Sequence, residues 1–561
     1  MTELLTTVAI IFIVAGPFVL VANRFNIPAV PLLIVAGLVV GNFIDEASTI
    51  EIARYGIALL VFVFGARIEF DAVRVVLGDS EIVAIGQILS IGAIGTGAGV
   101  LLGLPVDQAV LLGIAAALSS TIVGTAYLQS SIRKNLVRGR LAESIQYVQD
   151  IVAIGILLIL GAEVLAIDPI ATELGYGIIL GATALIVYRY GFPLLERAAG
   201  HSDEPLLVGS IALLVAFLGM AEFLGVSIVI GAFAAGLAVH HDPAKHLGLF
   251  NGIESVKDFF VAIFFVTVGA LVSFPGIEVL LFAILLGVLT AIVKPIITFM
   301  LLIYQGYEAR SSTLTSLNLD QMSEFSLIIA IEALAIGILV QATFDAIILA
   351  AAATMITSGV TNAYNEEIYQ FLSKHSRLRI HHQKIDERSH VTDDLDDHII
   401  VIGYGRQGRK LLHILSDLDC EYVVMENDPA RLPDLERDCD SYVFGDAMEP
   451  YAWEKASLDS SRLVISTVES RPVSNHVLGM ANDLDVIVRA STSTLAVQYL
   501  EAGARYAYVD DSLAANQLIE YITAIETGQM SVTELREKYM EELSNGQRGQ
   551  SSIPAALRVS D

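Results

Sequence analysis

The chain carries a carboxylate inside an apolar run, Tyr147-Val148-Gln149-Asp150-Ile151-Val152. The run, from about residue 141 to 161, is long enough to span a bilayer, which takes roughly 20 apolar residues. Asp150 lies about 15 Å from the nearer end at 1.5 Å rise per residue. An ionised Asp at that depth is costly, and such residues usually face a water-filled cavity and mark an ion or proton path. The alternative is a structural Asp, hydrogen-bonded between helices. Three further runs bring polar groups to about the same depth: Ser119-Ser120-Thr121, Lys294-Pro295, and Asp320-Gln321-Met322-Ser323-Glu324-Phe325. Polar groups of several helices meeting near mid-membrane suit a transporter, whose broken helices offer freed backbone and end dipoles to a charged ligand. Pairing with Lys294 would make Asp150 tolerable, because opposite charges in the bilayer pair. Lys294 could instead snorkel to an interface. The Ser and Thr residues could simply join helices, and Glu324 could be a buried network acid.

A second constellation lies far downstream. His398-Ile399-Ile400-Val401-Ile402 reads as a buried strand leading into Gly403-Tyr404-Gly405-Arg406-Gln407-Gly408 and then a helix. Strand, Gly-x-Gly-x-x-Gly and helix together make the dinucleotide-binding turn. A second strand, Tyr422-Val423-Val424-Met425, ends at Glu426-Asn427-Asp428, where an acid can accept from ribose hydroxyls. The repeat continues through 441–447, with Asp446-Ala447 at its end, and through 462–467, 486–490 and 506–509. Helical stretches separate these strands, as in a parallel doubly wound sheet. Val401-Ile402-Gly403-Tyr404-Gly405 also looks like a potassium-channel filter. It lies about 35 residues past the last apolar run, however, with no membrane to sit in. A Rossmann fold that binds nothing is the other alternative.

The elements that must position these residues fall into two classes. Thirteen apolar runs occupy about 4–22, 28–44, 52–66, 81–103, 107–128, 141–161, 172–190, 205–221, 225–240, 257–272, 277–304, 312–338 and 341–363. The chain is 54% hydrophobic with mean hydropathy +0.65, which fits a polytopic membrane protein. Residues 1–370 hold only 14 of the 33 Lys and Arg, nearly all in alternate connections: Arg24, Arg67, Arg74, Arg133, Lys134, Arg138, Arg140, Arg189, Arg197, Lys245, Lys257 and Arg310. By the positive-inside rule the N-terminus is outside and the C-terminal part cytoplasmic, which an odd number of spans also requires. The N-terminus reads as a first membrane helix, since it lacks a basic n-region and a small-residue cleavage site. From 391 onward about 30 acidic face 14 basic residues, the mark of a soluble domain. A pI near 4.7 argues against nucleic-acid binding. Cys420 and Cys439, without metal spacing, read as free cytosolic thiols.

The membrane half resembles the cation:proton antiporter superfamily, in its branch of Kef-type potassium-efflux and related Na⁺/H⁺ exchangers. The matching pieces run in the family's order over nearly all of residues 1–370: Phe25-Asn26-Ile27-Pro28 with Ala36-Gly37-Leu38, Leu118-Ser119-Ser120-Thr121, Gln149-Asp150, and Gly231-Ala232-Phe233-Ala234-Ala235-Gly236-Leu237. Lys257-Asp258-Phe259-Phe260, Phe264-Phe265-Val266-Thr267-Val268-Gly269, Lys294 and Met322-Ser323-Glu324-Phe325 complete them. The family often has two glycines where this chain has Met322-Ser323. Residues 398–515 resemble the RCK/KTN (TrkA-N) domains of potassium transporters and channels.

The resemblance implies a polytopic all-α membrane domain of about 13 transmembrane helices. It would have the NhaA/Kef-like inverted repeat with two crossed, broken helices, plus a cytosolic α/β Rossmann-type RCK domain. It divides the chain into an antiporter domain (1–370), a linker (371–396), a nucleotide-binding domain (397–515) and a C-terminal helix with a disordered tail (516–561). It implies a non-enzymatic, plasma-membrane homodimer exchanging K⁺ for H⁺, regulated by an adenine nucleotide such as AMP or NAD(H). Ion and proton would bind at Asp150, Gln149, Lys294, Ser119, Ser120, Thr121, Ser323 and Glu324. The nucleotide would bind at Gly403, Gly405, Arg406, Gln407, Gly408, Glu426, Asn427, Asp428, Asp446 and Ala447. The single carboxylate of Gln149-Asp150 suits one-for-one exchange, and potassium members commonly show Gln-Asp there. Na⁺/H⁺ exchange on the same fold and an RCK-gated K⁺ channel stand as alternatives.

Overall fold

A computed structural model describes residues 2–547, except 26–27, 42, 45, 68–78, 134–136, 162–166, 201, 240–246, 274–275, 376–382, 393–394, 429–430 and 481–483. Arg74, Lys134, Lys245, Arg377, Arg379, Asp393-Asp394 and the tail from Arg548 lie outside the described residues. The chain forms two compact units, one made almost wholly of residues up to 379 and one of residues 380–561.

The first unit is all helical. Apolar segments in lipid must satisfy their backbone internally, and helices do so. Each of the thirteen apolar runs holds a helix. Among the described residues eight helices are long and apolar enough to cross a membrane, and Ala29–Val40, Ile52–Ala66 and Ile228–Leu237 are shorter apolar ones. Glycines let several of these helices pack backbone on backbone. A Cβ on Gly269 of helix Leu247–Ala270 would sit 2.1 Å from Ile34 O of helix Ala29–Val40. One on Gly236 of helix Ile228–Leu237 would sit 2.1 Å from Phe62 O of helix Glu46–Ala66. Gly95 of helix Asp79–Leu101 meets Gly113 of helix Val106–Ala117 in the same way.

Two runs are interrupted. The first stops at Ala117, passes through Leu118 in an extended conformation (φ −79°, ψ 146°) and resumes as helix Thr121–Arg133. Ser120 Oγ accepts from Val123 N at 3.1 Å, capping the second half. The other stops at Leu317 and resumes as helix Glu324–Ala335, capped by Ser323 Oγ accepting from Phe325 N at 3.0 Å. This break forms without glycine. Ser323 keeps an ordinary extended backbone (φ −81°, ψ 149°), and Met322 N finds a partner in Thr354 Oγ1 at 3.2 Å.

A third irregularity sets the buried cation. Between helices Ile277–Val288 and Lys294–Tyr304, residues Leu289–Val293 widen into a π-helical turn. Pro295 follows, lacking an N–H and clashing with the carbonyl four residues back, so the widened turn accommodates it without ending the helix. Lys294, at the end of that turn, is completely buried.

The second unit is a six-stranded parallel sheet in the order β3-β2-β1-β4-β5-β6. The strands are β1 His398–Ile402, β2 Tyr422–Glu426, β3 Tyr442–Phe444, β4 Ser461–Ser466, β5 Asp485–Arg489 and β6 Tyr506–Tyr508. Ile400 pairs with Val423 on one side and Val464 on the other, and all five β1 residues are buried. The order reverses between β1 and β4, which is where such sheets bind ligands. Helix Gln383–Arg388 and the bridge from His390 to Tyr442 close over the β3 edge, so this part of the expected linker belongs to the compact unit. Burial and the neighbouring Asp438 carboxylate push the Cys439 thiol up to about 12, leaving almost no thiolate near neutral pH.

Candidate functional site

In the membrane unit the interrupted helices meet end to end. Thr121 opens one C-terminal half-helix and Glu324 opens the other, so both positive helix ends face the same place. Two carboxylates answer them. Asp150 Oδ2 accepts from Thr121 Oγ1 at 2.7 Å, and Glu324 Oε1 accepts from Ile122 N at 3.2 Å. Asp150 is 1% exposed and Glu324 4%, and among the described residues Glu324 Oε2 has no hydrogen-bond partner in ordinary geometry. Thr121 and Glu324 form the floor of a cavity of about 620 Å³. Leu60, Phe64, Arg67, Glu143, Tyr147 and Ile328 also line it. At its mouth Arg67 and Lys257 both bind Glu254. Phe64 and Phe325 meet edge to face, with centroids 5.5 Å apart, beside Glu324.

The remaining expected site residues build the break instead of lining the cavity. Gln149 Oε1 accepts from Ser119 N at 2.8 Å, and Ser119 Oγ donates to Leu319 O at 3.1 Å, tying one interruption to the other. Ser120 O receives Gln146 Nε2 at 2.9 Å and Gln321 Nε2 at 3.3 Å. Ser120 and Ser323 act through their caps.

The expected Lys294–Asp150 pair is not formed. The Lys294 ammonium donates to Leu118 O at 3.1 Å and Gln321 O at 2.8 Å. These carbonyls follow the C-terminal ends of helices Val106–Ala117 and Ala309–Leu317, where the helix dipoles are negative. The carboxylate whose field reaches Lys294 is Asp320. Equal depth in the membrane brought Lys294 and Asp150 together in the sequence, but depth does not fix which side of a helix crossing a group lies on. Lys294 serves the negative ends and Asp150 the positive ones.

In the sheet unit the Gly-rich turn follows β1. Gly403 has φ +95°, and a Cβ on Gly408 would lie 2.0 Å from Gly403 O. Those two glycines shape the turn. A Cβ on Gly405 would meet only the Arg431 guanidinium, at 3.3 Å. Gly405 therefore leaves the open approach that a phosphate needs. Arg406, Gln407 and Gly408 are the first turn of helix Arg406–Asp417, which no side chain caps, so its N–H groups suit an anion. Gln407 is held from both sides, by Asp510 Oδ2 at 3.0 Å and the Tyr508 hydroxyl at 3.1 Å.

Glu426 sits at the end of β2, as the spacing requires, but its oxygens are occupied. Oε2 accepts from Tyr404 N at 2.7 Å and Arg431 Nη1 at 3.0 Å, and Oε1 from Asn427 N and Asp428 N. Arg431 also bonds Asp428, at 3.2 Å. A ribose could reach Glu426 only by replacing Arg431. Asp446 Oδ1 caps its own turn through Met448 N at 3.0 Å, and Ala447 O accepts from Trp453 Nε1 at 2.7 Å. Sequence reading missed Arg431, three residues beyond Asp428, and noted Arg489, at the end of β5, only as part of the Arg489-Ala490 match to the RCK/KTN pattern. Arg489 bonds Asp510 at 2.8 Å. Basic residues just past strand ends were the available signal.

The glycines give separable expectations. Gly408→Ala should unfold the sheet unit. Gly405→Ala with Glu426→Ala should leave it folded and weaken at least tenfold the adenine-nucleotide binding that the Gly-rich turn leads one to expect. Thermal melting and calorimetry on the full chain check both. Undiminished nucleotide affinity in the double variant would show the site to be elsewhere.

Comparison with known proteins follows the same division. Residues 8–363 match the sodium/hydrogen exchanger, transmembrane, family and residues 399–510 the TrkA-N domain. YbaL of Escherichia coli (strain K12), a candidate cation/proton antiporter, is 25% identical over 558 residues, covering 94% of this chain and 99% of its own. The glutathione-regulated potassium-efflux system protein KefC of Enterobacter sp. (strain 638) is 26% identical over 83% of this chain and 76% of its own. The solved sodium proton antiporter MjNhaP1 of Methanocaldococcus jannaschii shares 15% identity over 66% of this chain and 99% of its own, with a TM-score of 0.49. With the first family spanning well over half of its length and the TrkA-N domain following in order, this chain belongs to the sodium/hydrogen exchangers, as a multi-pass cation/proton antiporter and not an enzyme.

Proposed function

We propose that the chain exchanges K⁺ for H⁺, one for one, across the cell membrane, with Asp150 and Glu324 as the carboxylates that trade the two. The observation that carries this is the meeting of both acids at the positive end of helix Thr121–Arg133, Asp150 through Thr121 Oγ1 and Glu324 through Ile122 N, with Glu324 opening the second half-helix and, like Thr121, lining the cavity. Two helix N-termini supply together about one positive charge, and two ionised carboxylates supply two negative ones. One bound cation, or one proton, makes the balance. Neither state can hold both without an excess charge in low dielectric, which couples the two ions.

With thirteen crossings, the N-terminus outside and the sheet unit in the cytoplasm, as the positive-inside pattern implies, the Arg67 and Glu254 end of the cavity would open on the cytoplasmic side. K⁺ is favoured over Na⁺ by the Gln149-Asp150 pair and by the potassium efflux named for the KefC relative. The sheet unit senses an adenine nucleotide, AMP or NAD(H), and the protein works as a homodimer. Gly405 and the first turn from Arg406 would hold the phosphates. Glu426 would hold the ribose once Arg431 turns to the phosphate.

Proton flux driven by K⁺ or Na⁺ gradients in proteoliposomes tests the reading, with and without nucleotide. Flux with K⁺ exceeding that with Na⁺ is expected, and nucleotide should change the rate. Conductive K⁺ flux without proton movement would sink the exchanger and favour a channel.

A further inference from the structure

We propose that the Asp320 carboxyl is a second proton-binding site of the membrane unit, separate from Asp150, and that it holds its proton while Lys294 occupies the carbonyls of the break. This does not rest on Asp150 being the exchange site.

Asp320 is 1% exposed, and neither of its oxygens has a hydrogen-bond partner in ordinary geometry among the described residues. A buried carboxylate with four empty lone-pair positions is costly. Its neighbours do not remedy this. The Ser358 and Thr361 hydroxyls of helix Gln341–Ala363 are the hydroxyl donors that face it. Yet Ser358 Oγ gives its hydrogen to Gln321 Oε1 at 3.2 Å, and Thr361 Oγ1 gives its hydrogen to Thr357 O at 3.2 Å. What Thr361 Oγ1 still offers is lone pairs, and Ser358 Oγ, which already accepts from Asn362 Nδ2 at 3.3 Å, keeps one. Tyr127, on helix Thr121–Arg133, also faces Asp320, and its hydroxyl, without a partner among the described residues, can accept from a carboxyl or donate to it. On its own segment, Asn318 Oδ1 is a buried acceptor with no donor among the described residues. The surroundings thus complement a group that donates, which a protonated carboxyl does and a carboxylate does not.

Charge points the same way. Lys294 is the cation that faces Asp320, yet it stands outside direct ion-pair contact and spends two of its three hydrogens on Leu118 O and Gln321 O. The two C-terminal helix ends there carry together about one negative charge. Lys294 already balances them. An ionised Asp320 would leave one negative charge unmatched, and a protonated one leaves none. An alkali cation would also restore the balance, but it needs room. Asp320 is not among the residues that line the cavity described above. Binding adds one solvent proton to one Oδ and removes one negative charge.

The test uses the full-length protein reconstituted in liposomes and infrared difference spectroscopy near neutral pH. Subtracting the Asp320→Asn spectrum from the wild type should reveal the carbonyl stretch of a protonated carboxyl. The same band should persist in Asp150→Asn. Should Asp320→Asn fail to fold, Ser358→Ala with Thr361→Val supplies a second reading. Loss of the acceptors should shift the band to higher wavenumber without removing it. A wild type with no such band, a band untouched by Asp320→Asn, or a band unmoved by the double variant would each overturn the proposal. So would bleaching of the band by added K⁺ at constant pH in Asp150→Asn, which would make Asp320 a cation site.

Discussion

Asp150→Asn should abolish cation-driven proton exchange and leave the fold intact. The amide oxygen of Asn can still accept from Thr121 Oγ1, which now bonds Asp150 at 2.7 Å, so the break keeps its tie to helix Val137–Leu160. What disappears is the charge. Glu324 alone then balances the two positive helix ends, and no unmatched charge remains to attract a cation. A cation about 4 Å from a carboxylate at an effective dielectric near 20 gains about 4 kcal/mol, roughly three powers of ten in affinity. The measurement is K⁺-dependent proton flux in proteoliposomes, beside the melting temperature of the purified variant. Flux within a fewfold of wild type would remove Asp150 from the mechanism.

Lys294→Met should destabilise the membrane unit more than any other single truncation at the break. Two buried carbonyls, Leu118 O and Gln321 O, lose their donor. Each unsatisfied group costs about 1–3 kcal/mol, and removing one partner of a buried charge cluster typically costs about 3–5 kcal/mol. The melting temperature in detergent should fall by on the order of 5 °C or more. Lys294→Gln separates the two contributions, because its amide can donate to one carbonyl without supplying charge, and it should recover part of the loss. An unchanged melting temperature for Lys294→Met would mean that the break does not depend on the ammonium.

The parts of this architecture that were legible in sequence are those written in local order. Ser119-Ser120-Thr121 marks one interruption because small polar residues cap helices. Gly403, Gly405 and Gly408 mark the turn because each spacing has its own steric meaning. The interruption at Met322-Ser323 was harder to read. Its backbone needs no positive φ, and a partner on another helix, Thr354, satisfies Met322 N. Such partners leave no local trace. The same holds for Lys294, whose depth could be counted along its helix but whose choice between Asp150 and the carbonyls is a matter of crossing geometry. Arg431 escaped for a related reason. Its role comes from folding back over Gly405, a contact between segments 26 residues apart.

The glycine contacts have a mechanical meaning. Where Gly269 lies on Ile34, Gly236 on Phe62 and Gly95 on Gly113, backbone meets backbone with no rotamer to yield. Joints of that kind are stiff. The cavity wall is different, because long side chains such as Arg67, Lys257, Phe64 and Phe325 meet there and can slide or re-pair. Any displacement that carries the acids from one membrane face to the other will therefore concentrate at that compliant joint. Helix groups on either side of it will travel as blocks, and a crosslink across it should arrest motion that a crosslink along a glycine contact leaves untouched.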